Sequence, residues 1–131
     1  YTAKCGIEVI IIMPHIPDKW YAFAVAQTYY EELISAGVQI YEYTPGFVHA
    51  KVFVSDNDTA TVGTINLDYR SLYHHFECGT FIYNNPVVWE IERDFQNTLK
   101  ACQKITMLDV KARRIGMKMV GSVLRLIAPL M

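Results

Sequence analysis

At 131 residues the chain is long enough for one modest domain with a buried core. A hydrophobic fraction of 52% and an aromatic fraction of 13% exclude a disordered segment. The net charge of −1 excludes a global field that recruits a polyanion, so no nucleic-acid partner is expected.

Taken in chain order, Tyr1–Gly6 reads as the end of a helix running into a strand, and the absence of an initiator Met suggests an excised fragment. Ile7–Met13 is a short, β-branched, almost continuously apolar run, which predicts a strand buried on both faces. Pro14 to Pro17 break it. Asp18 stands where an N-cap would open a helix to about Ala36, with Gly37 at its C-terminus. Val38–Tyr43 is a second strand and Pro45-Gly46 a turn. Phe47–Val54 alternates as a third strand, Ser55–Asp58 is a polar turn, and Thr59–Val62 returns as its hairpin partner. A helix is expected from about Leu67 to His74 and a strand over Phe76–Tyr83. Pro86 then opens a long helix to about Lys104. From about Met107 the pattern is helical again. Strands alternating with helices make this an α/β chain with a mixed sheet flanked by helices.

Trp20, Tyr21, Phe23, Tyr29, Tyr30 and Tyr41 could form an acyl-chain surface, but aromatics at helical spacing weigh toward core. Cys5, Cys78 and Cys102 are odd in number and widely spaced, as expected of reduced core cysteines in a cytosolic compartment. No segment is long enough to span a bilayer. Charge is unevenly spread. Residues 1–108 carry seven Lys/Arg against twelve Asp/Glu, a balance of −5, whereas residues 109–131 carry five basic residues against Asp109 alone, a balance of +4. A basic tail on an acidic body is a partner signal that an anionic membrane surface would satisfy. On a helical wheel Lys111, Arg114, Lys118 and Arg125 share one face. Leu108, Ile115, Met119, Val123, Leu126 and Leu130 share another, with Arg113 the exception. Such a helix can lie in a membrane interface, or pack its apolar side on the domain and leave its charges in water.

The most specific feature is the run from His49 to Asn66: His49-x-Lys51, four residues, Asp56, six residues, then Gly63-Thr64-x-Asn66. Side chains at i and i+2 of a strand share a face, so His49 and Lys51 are expected to project together. An imidazole can attack phosphorus or protonate a leaving oxygen near neutral pH. A lysine beside it supplies positive charge for the non-bridging phosphate oxygens. Pairing across the Ser55–Asp58 turn would carry Gly63, Thr64 and Asn66 back beside them. Gly63 permits close backbone approach, and Thr64 and Asn66 offer hydrogen-bond donors to phosphate. Asn66 also precedes a helix whose free N–H groups favour an anion. Asp56, on the turn, reads as an Asx-type residue that holds the loop. His15 follows the carboxyl end of a strand, where ligands bind in α/β folds, and is a head-group candidate. His74 and His75 are placed to cap a helix C-terminus, and Asp68 and Arg70 to brace the site through hydrogen bonds. No metal site is expected, because His15, His74 and His75 with scattered cysteines match no zinc spacing.

The run resembles the HKD motif of the phospholipase D superfamily. The resemblance extends to bacterial cardiolipin synthases through Met13–Lys19, Tyr41–Phe47, Asn66–Leu72, Phe76–Gly79 and the ending Leu124–Met131. It implies a phospholipase D-like fold, one half of a two-motif architecture, because the motif occurs once. Residues 1–106 would be the second, HKD-bearing catalytic half and 107–131 a basic amphipathic helix. It implies transfer of a phosphatidyl group between two phosphatidylglycerol molecules, with release of glycerol, through a phosphohistidine. By the same resemblance His49 is the general acid/base for a nucleophile in the upstream HKD half. Lys51, Thr64 and Asn66 bind phosphate, Asp56 shapes the site, and Glu77 accepts a proton from the second ring nitrogen of His49. No cofactor is implied, and the parent would work at the cytoplasmic face of the cell membrane. Thr64 stands where many superfamily members have serine, which keeps the hydroxyl. Two other readings compete: a single-motif nuclease or phosphodiesterase active as a homodimer, and an inert membrane-associated module.

Overall fold

The computed structural model describes residues 1–113 and 115–130; within them, the side chains of Ile115 and Lys118 are not described. The parts of the basic and apolar faces carried by Arg114, Ile115 and Lys118, and the terminal Met131, therefore lie outside the description. The strands are β1 (Ile10–Pro14), β2 (Gln39–Tyr43), β3 (Val52–Ser55), β4 (Thr59–Gly63), β5 (Gly79–Tyr83) and β6 (Cys102–Ile105). The helices are α1 (Trp20–Thr28), α2 (Tyr30–Ser35), α3 (Val87–Leu99), α4 (Met107–Ala112) and α5 (Ile115–Ile127), with a π-helical turn at Arg70–His74. They form two compact units, residues 1–48 with 101–128, and residues 49–100 with 129–130. Neither unit ends at the expected 106/107 boundary: α4 and α5 belong to the first.

The first unit is built on a mixed sheet in the order β1-β2-β6. β1 and β2 are parallel, with Ile10 opposite Gln39 and Met13 opposite Glu42. Parallel neighbours need a crossover, which α1 and α2 supply. The strand expected from Ile7 begins at Ile10, because Ile7 is 56% exposed, although Gln39 N–H still donates to Val9 C=O at 2.9 Å. The single helix expected to Ala36 is two, with a break at Tyr29. It opens after Lys19 without the expected Asp18 cap. Gly37 does end it in the left-handed region, at φ 97°. The largest departure is β6. The helix expected to about Lys104 ends at Leu99, and Cys102–Ile105 instead pair antiparallel with β2, Ile105 opposite Ile40 and Cys102 opposite Tyr43.

Tyr30, Val38, Ile40, Ile105 and Val110 form the core, with Ile11, Met13, Leu33 and Ile34 packed against it. Of the aromatics expected there, Tyr30 is buried, Tyr21, Phe23, Tyr29 and Tyr41 are half-buried, and Trp20 is exposed. The cysteines form no disulfide and are not core residues: Cys5 and Cys78 are exposed and Cys102 is half-buried. Thr106 opens α4 with a capping box, donating to and accepting from Asp109, whose carboxyl these bonds hold below its usual value.

The second unit is an antiparallel meander, β3-β4-β5, with α3 against it. Val54, Ala60 and Ile82 form one cross-strand row, and Ala60 is fully buried, as is Val88 of α3. The hairpin turn places Asp56 and Asn57 in the left-handed region (φ 53° and 59°), which short polar side chains tolerate. Pro86 lies just ahead of α3, as expected, and Asn85 Oδ1 accepts from Val87 N–H at 3.0 Å.

Candidate active site

The hairpin brings the two ends of the motif together at one edge of the second unit. The β3–β4 ladder continues one step past Val52, where Lys51 C=O accepts from Gly63 N–H at 3.2 Å. His49 and Lys51 themselves precede the strand expected to hold them, and Lys51 Nζ donates to His49 C=O at 3.0 Å. On the other side of β4, Gly63 pairs with Gly79, and Thr64 N–H donates to Cys78 C=O at 2.9 Å. A Cβ on Gly63 would lie 2.3 Å from Cys78 O and 2.6 Å from Gly79 Cα, so the close approach this glycine permits is that of β5.

Thr64 and Glu77 meet at the same edge. The Thr64 hydroxyl donates to the Glu77 carboxylate and accepts from Cys78 N–H at 3.1 Å. The hydroxyls of Thr64 and Ser71 hold the Glu77 carboxyl below its usual value, with the charges of His75 and Lys51 acting in the same direction. An exposed carboxylate is thereby kept ionised beside Lys51. Thr64→Val, which keeps the shape and removes the donor, is expected to raise the Glu77 pKa. A carbon-detected NMR titration of its carboxylate checks this, and an unchanged midpoint contradicts the assignment.

Asp56 lies on the expected hairpin turn and not at this edge. Asp56 is at the far end of the hairpin, about 16 Å of strand from Lys51 at the usual rise per residue. There its carboxylate accepts from the Ser55 hydroxyl at 3.0 Å. Asn66 is exposed, and the helix expected to follow it is only the turn Arg70–His74, whose Ser71 N–H is already capped by Asp68 Oδ1 at 2.7 Å. Arg70 Nε donates to His75 Nε2, and His75 N–H to Arg70 C=O at 2.8 Å, so Asp68 and Arg70 do brace this turn. The histidine side chains do not cap it: that of His74 pairs with Pro129 C=O at 2.9 Å. Ser71, buried and acting on Glu77, was missed; the Asp68-x-x-Ser71 spacing of a side-chain cap was the signal for it.

His15 belongs to the first unit, and its setting was not foreseen. Its Nδ1 lies 2.9 Å from Glu42 Oε2, and Glu42 is only 4% exposed. The other carboxylate oxygen accepts from Arg113 Nη2 at 3.0 Å and from the Tyr30 hydroxyl at 3.3 Å. Burial, and then the Glu42 charge, push the Tyr30 phenol up. The signal was in β2, where Ile40 and Glu42 alternate inward; an acid at an inward position needs partners.

Comparison with known proteins adds to this geometry. A family model described as cardiolipin synthase, PLD-like domain, matches residues 2–99. The chain is 52% identical over its whole length to an uncharacterized protein of Streptococcus mutans serotype c, covering 28% of that protein. It is 39% identical to cardiolipin synthase 2 of Bacillus anthracis and 40% identical to a cardiolipin synthase of Clostridium perfringens. In both cases 99% of the chain is matched, to 25% and 27% of the relative. The chain thus spans about a quarter of the length of the curated relatives it matches.

Proposed function

The chain belongs to the family of cardiolipin synthase PLD-like domains, and from that premise we propose that it is the carboxyl-terminal catalytic half of such an enzyme. The reaction would move a phosphatidyl group from one phosphatidylglycerol to another. A histidine nitrogen in the upstream half attacks phosphorus, the bond to the glycerol oxygen breaks, and His49 gives that oxygen its proton. The terminal hydroxyl of the second phosphatidylglycerol then loses its proton to His49 and attacks phosphorus, and the P–N bond breaks. Lys51 neutralises charge on the non-bridging oxygens, with Thr64 and Asn66 as further donors. Glu77, held ionised, accepts from the second ring nitrogen of His49 and fixes its tautomer. In this account the parent works at the cytoplasmic face of the cell membrane.

The observation that carries the reading is the convergence of Lys51, Gly63, Thr64 and Glu77 at one sheet edge, next to His49. The single motif supplies half of what the mechanism needs, so the isolated 131 residues are expected to be inactive as monomers. Turnover of phosphatidylglycerol vesicles, measured beside sedimentation, tests this. Robust activity from a demonstrably monomeric chain would refute the two-half mechanism.

A further inference from the structure

The turn Arg70–His74 carries a cation that the proposed mechanism does not use. Arg70 is exposed, and its side chain is tied down at one point. Nε donates to His75 Nε2, while the Arg70 carbonyl accepts from His75 N–H at 2.8 Å. Among the described residues no carboxylate pairs with Arg70, and no acceptor meets its terminal nitrogens Nη1 and Nη2. A guanidinium braced in this way keeps its planar fork of terminal donors, already oriented, for a ligand.

That fork belongs to the edge where the motif converges. His75 is extended, at φ −107° and ψ 155°, so its ring and the Glu77 carboxylate two positions on leave the same side of the chain. Glu77 is within electrostatic reach of both His75 and Lys51. Arg70 therefore stands beside the site, one side chain removed from Glu77 by the imidazole that holds it.

We infer that Arg70 binds the non-reacting phosphate of the acceptor phosphatidylglycerol. The inference rests on the reaction proposed above and supplies what its second step lacks. There the attacking hydroxyl belongs to a lipid with a phosphodiester of its own, separated from that hydroxyl only by the glycerol carbons. Two phosphate anions must approach within the length of a head group, and they repel one another. Lys51 is occupied with the oxygens of the reacting phosphate, so the other phosphate needs a second cation. A guanidinium meets a phosphodiester with two parallel N–H···O bonds, which an ammonium cannot do. Its place one side chain beyond His75 suits a phosphate that lies a glycerol away from the chemistry.

Free glycerol provides the test, because it offers the same hydroxyl without the phosphate. In the full-length polypeptide the phosphatidyl-enzyme partitions between two acceptors. Phosphatidylglycerol gives cardiolipin, and radiolabelled glycerol gives labelled phosphatidylglycerol by the reverse of the first step. Arg70→Gln is expected to lower the ratio of cardiolipin to labelled phosphatidylglycerol by about tenfold or more, the usual worth of a charge-assisted hydrogen bond, with glycerol exchange within a few-fold of the parent sequence. Arg70→Lys, which restores the charge without the fork, is expected to fall between. An unchanged ratio in Arg70→Gln overturns the inference. So does an equal loss of both products, which would make Arg70 a brace of the turn alone, and so does an Arg70→Lys variant no better than Arg70→Gln. A parent sequence that makes neither product sinks the proposed reaction itself, and this inference with it.

Discussion

Replacing His49 with alanine in the full-length polypeptide is expected to lower cardiolipin formation by about 10²–10⁴-fold, the usual worth of a positioned acid–base group. On the proposed mechanism the loss is in turnover, because the leaving glycerol would depart without its proton and the incoming hydroxyl would attack without a base. His49 is exposed at the start of the second unit, where its carbonyl accepts from Lys51, so the fold is expected to survive the change. Radiolabelled phosphatidylglycerol in mixed micelles provides the assay. Turnover within a few-fold of the parent sequence would remove His49 from the mechanism.

The largest expected effect on stability is far from that chemistry. Arg113→Ala strips the cation from a carboxylate that is 4% exposed, leaving Glu42 with His15 and the Tyr30 hydroxyl. Breaking a buried pair from one side costs about 3–5 kcal/mol, because the remaining charge is uncompensated. Chemical denaturation should show this loss. Glu42→Gln/Arg113→Met removes both charges and is expected to recover most of it, since the pair itself carries a desolvation cost and Arg113 Nη1 is buried without a partner. A double variant as unstable as the single one would mean that Arg113 acts through packing on Tyr30 alone.

What was legible in the sequence followed from local rules. β2, the β3–β4 hairpin and the start of α3 announce themselves through alternation, turn residues and Pro86, so the meeting of Lys51 with Gly63 and Thr64 was foreseeable. β6 was not. Its Gln103 and Lys104 are exposed edge residues, and its identity comes from pairing with Tyr41 and Glu42, some sixty residues away. The Glu42 cluster was hidden for the same reason: its partners lie 12, 27 and 71 positions distant. In the tail, the one helix expected from about Met107 is two, α4 and α5, parted by the extended Arg113, and only tertiary packing decides which face turns inward. Gly121 allows α1 to approach closely, and Glu32 with Tyr29 draws Arg125 in.

The most direct test of the division of labour is to trap the phosphatidyl-enzyme in the full-length polypeptide and map the modified residue by mass spectrometry. The account predicts the adduct on a histidine of the upstream half, with His49 unmodified and the adduct accumulating when the acceptor hydroxyl is withheld. A phosphatidyl group on His49 itself would contradict it.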